Sequence, residues 1–270
     1  MIGYNELGNN GQLGNQMFQY AALLGIAKNK NFTWCIPPRK EFGARYDTWH
    51  NNKVSSIYDC LKLPLAKNQA IIKGQQINEP TPHYSEELFN KCPDNVSLFG
   101  YFQDEKYFKH IKDVIKNEFN FLDSIKSMSD RIIEKYKDRE KVSVHIRRTD
   151  YLNHPDVRSV PSLHYYAQAM SLFENVTFFI FSDDIEWCKA QSIFNGNNIV
   201  FSETNNTYVD LYIMSLCEHN IIANSSFSWW GSYLNKNSNK KIIAPPKHRW
   251  LNYRDASHIY LEDWIVINQE

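Results

Sequence analysis

Several things are scarce in this sequence, and each scarcity removes a class of protein. Charge of one sign is the first: 30 Lys and Arg stand against 30 Asp and Glu, so the formal net charge is zero. A general nucleic-acid binder carries a basic excess, so that class is disfavoured and no nucleic-acid partner is expected. Cysteine is the second. Cys35, Cys60, Cys92, Cys188 and Cys217 are odd in number and irregular in spacing, with no CxxC pair. Neither a disulfide framework nor a zinc site fits, and a reducing cytosol does. Long apolar runs are the third. No stretch of 18 apolar residues occurs, so no membrane-spanning helix is expected. The opening MIGYNELGNNGQ lacks a charged region followed by an apolar one, so it does not read as a signal peptide. Peripheral contact with membrane-bound substrates, at the inner face of the membrane, stays open.

Aromatic residues are plentiful, with 16 Tyr, 16 Phe and 7 Trp among 270 residues. Flat rings fill a core of large side chains, and they also stack on sugars and bases. The length suits two domains or one large α/β domain.

The second half has the plainer pattern. Apolar runs at 142–146, 176–182, 198–201, 220–224 and 241–245 read as strands. Helix-length segments separate them, at 162–175, 184–194, 208–218 and 226–235. Strands alternating with helical crossovers predict a parallel, doubly wound sheet. Ligands of such sheets bind at the carboxyl ends of the strands. Here those ends carry HIRRTD, FSDD and ANSSFS. In the first half, 14–30 reads as a helix, 32–38 and 96–102 as strands, and 106–119 and 123–140 as helices. Residues 39–95 show turn signals without clear periodicity. Charge gives way to the strand at Val142, which predicts domains 1–140 and 141–270.

Four motifs carry candidate chemistry. GNNGQLGNQ places Gly14, Asn15 and Gln16 at a helix entry, where backbone amides favour an anion. HIRRTD supplies His145, Arg147, Arg148 and Asp150. A guanidinium fork suits phosphate oxygens and stays charged at working pH. One arginine is expected to be held by acids and the other to be available for phosphate. Strand alternation starts the two on opposite faces, so both are not expected to reach the same phosphate, and one of the pair, Arg148 with Asp150, is expected to brace the loop. FSDD supplies Ser182, Asp183 and Asp184. These carboxylates could hold a divalent cation, accept from a base or ribose, or cap the next helix. ANSSFS supplies Asn224, Ser225, Ser226 and Phe227 at a strand-to-helix turn, an anion site or a plain cap.

GQLGNQMFQYAAL, VSVHIRRTDY, FFIFSDD and IIANSSFSWWGSYLN, in that order along the chain, resemble the motifs of the bacterial α-1,2-fucosyltransferases, glycosyltransferase family 11. Gln12 stands where that family has a second glycine, and Thr149 where many members have glycine. The resemblance implies an α/β fold of GT-B type, with two Rossmann-like domains facing across a cleft. The first would be the acceptor side and the second would bind GDP-fucose. It implies GDP-fucose as donor, inversion at the anomeric carbon, no metal requirement, and a terminal β-galactoside acceptor, lipid-linked ones included, in O-antigen-like glycan synthesis. By the same resemblance Arg147 grips the β-phosphate, while His145 and one of Asp183 and Asp184 meet guanine or ribose. Ser225 and Ser226 complete the phosphate pocket, and Asn15 with its neighbours closes it.

Departure of GDP needs its charge stabilised, which falls to Arg147, the helix terminus at Ser225 and Ser226, and the Gly14–Gln16 loop. His154 and Asp156 follow the arginine motif and are the candidates for a general base. Two rival readings remain. One is a metal-dependent sugar-nucleotide transferase using Asp183 and Asp184. The other is a non-catalytic glycan-binding module.

Overall fold

A computed structural model of the chain describes residues 1–38, 46–47, 52–53, 55–155, 159–246 and 256–268. The chain divides into two compact units, Met1–Leu122 and Asp123–Glu270.

The first unit opens on a two-residue strand, β1 (Ile2–Gly3), followed by helix α1 (Leu13–Asn29) and strand β2 (Trp34–Cys35). Strands β3 (Tyr46–Asp47) and β4 (Asn52–Lys53) form an antiparallel pair. Strand β5 (Gln75–Asn78), helix α2 (Glu86–Lys91), strand β6 (Val96–Phe99) and helix α3 (Lys112–Glu118) follow. The main sheet runs β2-β1-β6-β5, all parallel. Helix α1 is buried almost all round, which suits its run of Met, Phe, Ala, Leu and Ile. Its Tyr20 hydroxyl donates to Glu118 at 2.5 Å, tying it to α3. The single helix expected over 106–119 is instead two 3-10 turns, Glu105–Tyr107 and Lys109–Ile111, leading into α3. Fully buried Phe108, at φ −136°, breaks the helical path between the turns.

The second unit comprises helix α4 (Asp123–Ile133), strand β7 (Lys141–Ile146), helices α5 (Thr149–Asn153) and α6 (Leu163–Met170), strand β8 (Thr177–Ser182), helix α7 (Ile185–Lys189), strand β9 (Ile199–Phe201), helix α8 (Thr207–Leu216), strand β10 (His219–Ile221), helix α9 (Ser226–Leu234), and strands β11 (Ile242–Ala244) and β12 (Ile265–Val266). Its sheet is parallel throughout, ordered β12-β11-β10-β7-β8-β9. The near-continuous apolar run of β8 is buried on both faces, the state such a run requires, and the alternating KVSVHI of β7 is buried throughout as well. Val142, Val144 and Ile146 join Tyr165, Tyr166, Phe178, Ile180 and Ile221 in one core. Helix α4 packs against α8, so the second unit begins at Asp123, ahead of the 140/141 division read from the charge pattern.

Candidate active site

The site in the second unit is built by strand order. β7 lies between β10 and β8, with Ile146 level with Ser182 and Val144 level with Ile221. The three polar strand ends of the sequence therefore emerge side by side.

Past Ile146 the chain turns into α5, and both arginines enter a carboxylate network. Arg147 Nε lies 2.7 Å from Asp150 Oδ1 and 3.4 Å from Asp183 Oδ2. Arg148 Nε donates to Asp184 Oδ2 at 3.1 Å, and its guanidinium stacks on the Trp187 ring, 3.6 Å from the centroid. This corrects the expected division of labour: Asp150 holds Arg147, Asp184 holds Arg148, and neither arginine is left without an acid. Asp183 lies at the hub. One of its oxygens accepts from Arg148 N at 2.9 Å; the other accepts from Thr149 N at 3.1 Å and Thr149 Oγ1 at 2.5 Å. Asp184 also caps α7, accepting from Trp187 N at 3.3 Å, while Ser182 Oγ accepts from Asp184 N at 3.0 Å. Capping and ion pairing are thus both present in FSDD. Burial works against the Arg147 charge, but Asp183 and Asp150 outweigh it and the guanidinium holds its proton more tightly than usual.

His145 is buried beneath this network, with its ring 5.4 Å from that of Phe227. Burial first, and then the Arg147 charge, push its pKa down to about 3, so it is a neutral imidazole at pH 7. Its Nδ1 is buried with no hydrogen-bond partner among the described residues. The β10–α9 connection supplies the third side. Ser225 caps α9 by accepting from Phe227 N at 3.4 Å, and Asn224 Nδ2 donates to Ser159 O at 2.7 Å. Ser226 and Phe227 open the helix, half-buried. His154 closes α5, its amide donating to Tyr151 O at 3.2 Å. Asp156 lies outside the described residues.

In the first unit, Gly14, Asn15 and Gln16 form the first turn of α1. Gln16 is fully buried, and its amide group is spent on backbone: it donates to Ser55 O at 2.6 Å and accepts from Ile57 N at 3.2 Å. Asn15 accepts from Gln103 Nε2 at 2.8 Å. Gly11, at φ +87°, has no room for a side chain, because a Cβ there would lie 2.1 Å from Asn15 Nδ2.

Several residues that shape the site were not singled out by sequence. Trp187 stacks on Arg148. Tyr151 OH donates to Asn224 O at 2.8 Å, joining α5 to the α9 turn, and Tyr166 OH donates to His145 O at 3.0 Å. Trp187 and Tyr151 have one sequence signal, an aromatic within a helical turn or so of a polar strand end; Tyr166, inside α6, has none.

A family model described as Glycosyl transferase family 11 matches residues 1–268. The chain belongs to glycosyltransferase family 11. Among curated relatives, an α-1,2-colitosyltransferase of Escherichia coli is 33% identical over 87% of this chain and 89% of its own. The O-antigen biosynthesis glycosyltransferase WbnK of Escherichia coli is 28% identical, over 94% and 97%. Human galactoside α-(1,2)-fucosyltransferase 1 is 23% identical, over 97% and 74%. Solved structures similar in fold include POFUT1 in complex with GDP-fucose, with a TM-score of 0.55 at 12% identity over 89% of this chain and 96% of that one. Fucosyltransferase NodZ from Bradyrhizobium gives a TM-score of 0.56 at 13% identity, over 85% and 91%. This family 11 chain thus has an α/β fold of GT-B type with two parallel sheets.

Proposed function

We propose that this family 11 enzyme transfers L-fucose from GDP-β-L-fucose to the 2-hydroxyl of a terminal galactose, with inversion and without a metal, in the synthesis of a surface glycan. One observation carries the reading: Arg147, neutral His145 and the α9 terminus meet where β10, β7 and β8 end side by side. A guanidinium oriented by Asp150 and Asp183 presents its remaining N–H groups to a diphosphate, and its charge meets the charge that develops on GDP. The α9 amides favour the same anion. A neutral His145, with Nδ1 uncommitted, suits a hydrogen bond to the nucleoside, where a second cation would be redundant. The acceptor's 2-hydroxyl attacks the face opposite the departing phosphate, so a β-linked donor gives an α-linked product. His154 and Asp156 remain the candidates to take the hydroxyl proton. The acidic pair is already bonded to Arg147, Arg148 and Thr149, which favours an organising role over cation binding. GDP-fucose and a β-galactoside are the only partners this chemistry needs.

A second donor is favoured by one observation, the 33% identity to a colitosyltransferase. Colitose is fucose without its 3-hydroxyl. A pocket that hydrogen-bonds that hydroxyl rejects the deoxy sugar strongly, whereas an apolar pocket discriminates weakly. The test is incubation with GDP-fucose or GDP-colitose and a panel of β-galactosides, with and without EDTA, followed by linkage analysis. An α-1,2-linked product unaffected by EDTA is expected. Loss of turnover in EDTA, restored by Mn²⁺, would return Asp183 and Asp184 to metal ligation. Glycan binding without transfer of either sugar would favour the binding module.

A further inference from the structure

The first sheet has a polar edge of its own. β1, β6 and β5 are neighbours, and the residues directly after their carboxyl ends are Tyr4, Gly100 and Glu79. Tyr4 is bonded to Gly100, and Glu79 to the two residues that follow it. The Tyr4 hydroxyl donates to Gly100 O and accepts from Gly100 N at 2.8 Å. Glu79 Oε2 accepts from the amides of both Tyr101, at 2.8 Å, and Phe102, at 2.9 Å. Its Oε1 is buried with no hydrogen-bond partner among the described residues. Gly100, at φ +156°, is required by this closeness, since a Cβ there would lie 2.4 Å from Glu79 Cβ and 2.6 Å from Oε2.

The turn held in this way reaches the start of α1. Gln19 Nε2 donates to Gly100 O at 3.1 Å and to Asn10 O at 2.8 Å, and Gln103 Nε2 donates to Asn15 Oδ1 at 2.8 Å. One carboxylate therefore fixes the Gly100–Gln103 turn, and the turn fixes the Gly8–Gln16 loop. We propose that Glu79 is a positioning residue for the transferase reaction: its ionised carboxylate holds the Gly100–Gln103 turn, and through Gln103 it sets Asn15 in the arrangement that turnover requires. The proposal rests on the transferase reading given above.

The charge state of Glu79 makes the proposal testable. Burial, set against its two backbone bonds and helped slightly by the Asp104 charge, raises its pKa to about 7. The other ionisable groups facing it are the phenols of Tyr4 and Tyr107, which burial keeps protonated throughout the neutral range. A group of this kind is mostly ionised at pH 8 and mostly protonated at pH 6, so the fraction able to accept two charge-assisted bonds falls about tenfold.

The experiment measures acceptor kcat/KM from pH 6 to 8.5 for wild type and Glu79→Gln, with thermal unfolding of each as a check on folding. Wild type is expected to lose about tenfold between pH 8 and 6. Glu79→Gln, isosteric but uncharged, so that its oxygen accepts the two amides without charge assistance, is expected to be about tenfold slower at pH 8 and flat within about twofold across the range. Hydrogen exchange over 99–105, corrected for intrinsic rate, supplies a readout that needs no turnover. Through local release of the turn with Glu79 still buried, in which only its two amide bonds are lost, protection of this stretch is expected to drop from pH 8 to 6 in wild type and to stay constant in the variant. A variant that keeps the acid limb and the pH-dependent protection overturns the proposal. Absence of fucosyl or colitosyl transfer by wild type overturns the transferase reading instead, while exchange still decides whether Glu79 sets the turn.

Discussion

Arg147 is held by acids without being neutralised for good: Asp150 and Asp183 engage its Nε side and keep the charge in place. Arg147→Lys preserves that charge and loses the fork. It is expected to fold with wild-type Tm within a few degrees and to turn over about a hundredfold more slowly, by analogy with losing one preorganised donor. A variant with near-normal kcat would remove Arg147 from leaving-group stabilisation. His145 gives a prediction in pH. Its folded-state pKa, about 3, lies below the ordinary value of 6.5, so the unfolded chain binds the extra proton first. Its contribution to stability is complete above about pH 6.5 and is lost as pH falls toward 3. Urea unfolding at pH 7 and pH 5 is expected to show a larger loss for wild type than for His145→Gln. Equal losses would mean that the imidazole is not buried neutral. Glu79 acts in the opposite sense, because its value is raised: stability falls as pH climbs from about 4.5 through 7.

At the scale of elements, legibility followed burial. β8 could be read directly because both faces are covered and its apolar run is nearly unbroken; β7, equally buried, showed instead as an alternation of Val142, Val144 and Ile146 with Ser143 and His145. The strand ends were legible for the complementary reason: polar residues cluster where the apolar run stops. β1 and β5 were not readable. β1 is two residues long, and β5, Gln75–Asn78, lies at the edge of its sheet and is largely exposed, so its QQIN has no apolar pattern. Helix α7 is half the length expected, because the chain leaves it at Ala190 for a 3-10 turn at Ser192–Phe194. The pairing inside the arginine network was also beyond sequence reasoning, since alternation along a strand does not continue into the turn that follows it. One cross-element bond shows how the site is braced. Tyr151→Phe removes the donor to Asn224 O and leaves a buried carbonyl. The cost is expected to be about 1–2 kcal/mol, or roughly 2–8 °C in Tm. An unchanged Tm would show that α5 does not support the α9 turn.

Over the whole molecule, the two units carry separate sheets, and the functional assignments proposed for them can be tested separately. If the second unit is the donor side, a fragment 123–270 is expected to unfold cooperatively and to bind GDP. A fragment 141–270, which lacks α4, would uncover the α8 surface where Ile125 and Ser129 are buried, and is expected to aggregate. Calorimetry with and without GDP distinguishes these outcomes. A stable, GDP-binding 141–270 fragment would place the boundary after α4. The position of β7 has one more consequence, in the order of synthesis. Its neighbour β8 is made soon after it, but its other neighbour β10 leaves the ribosome much later, when His219 can pair with Val142. Pairings so distant in sequence close slowly. Until they close, the arginines exist without the α9 turn beside them, so a nascent chain arrested before residue 219 should have no nucleotide affinity, however well its first unit has folded.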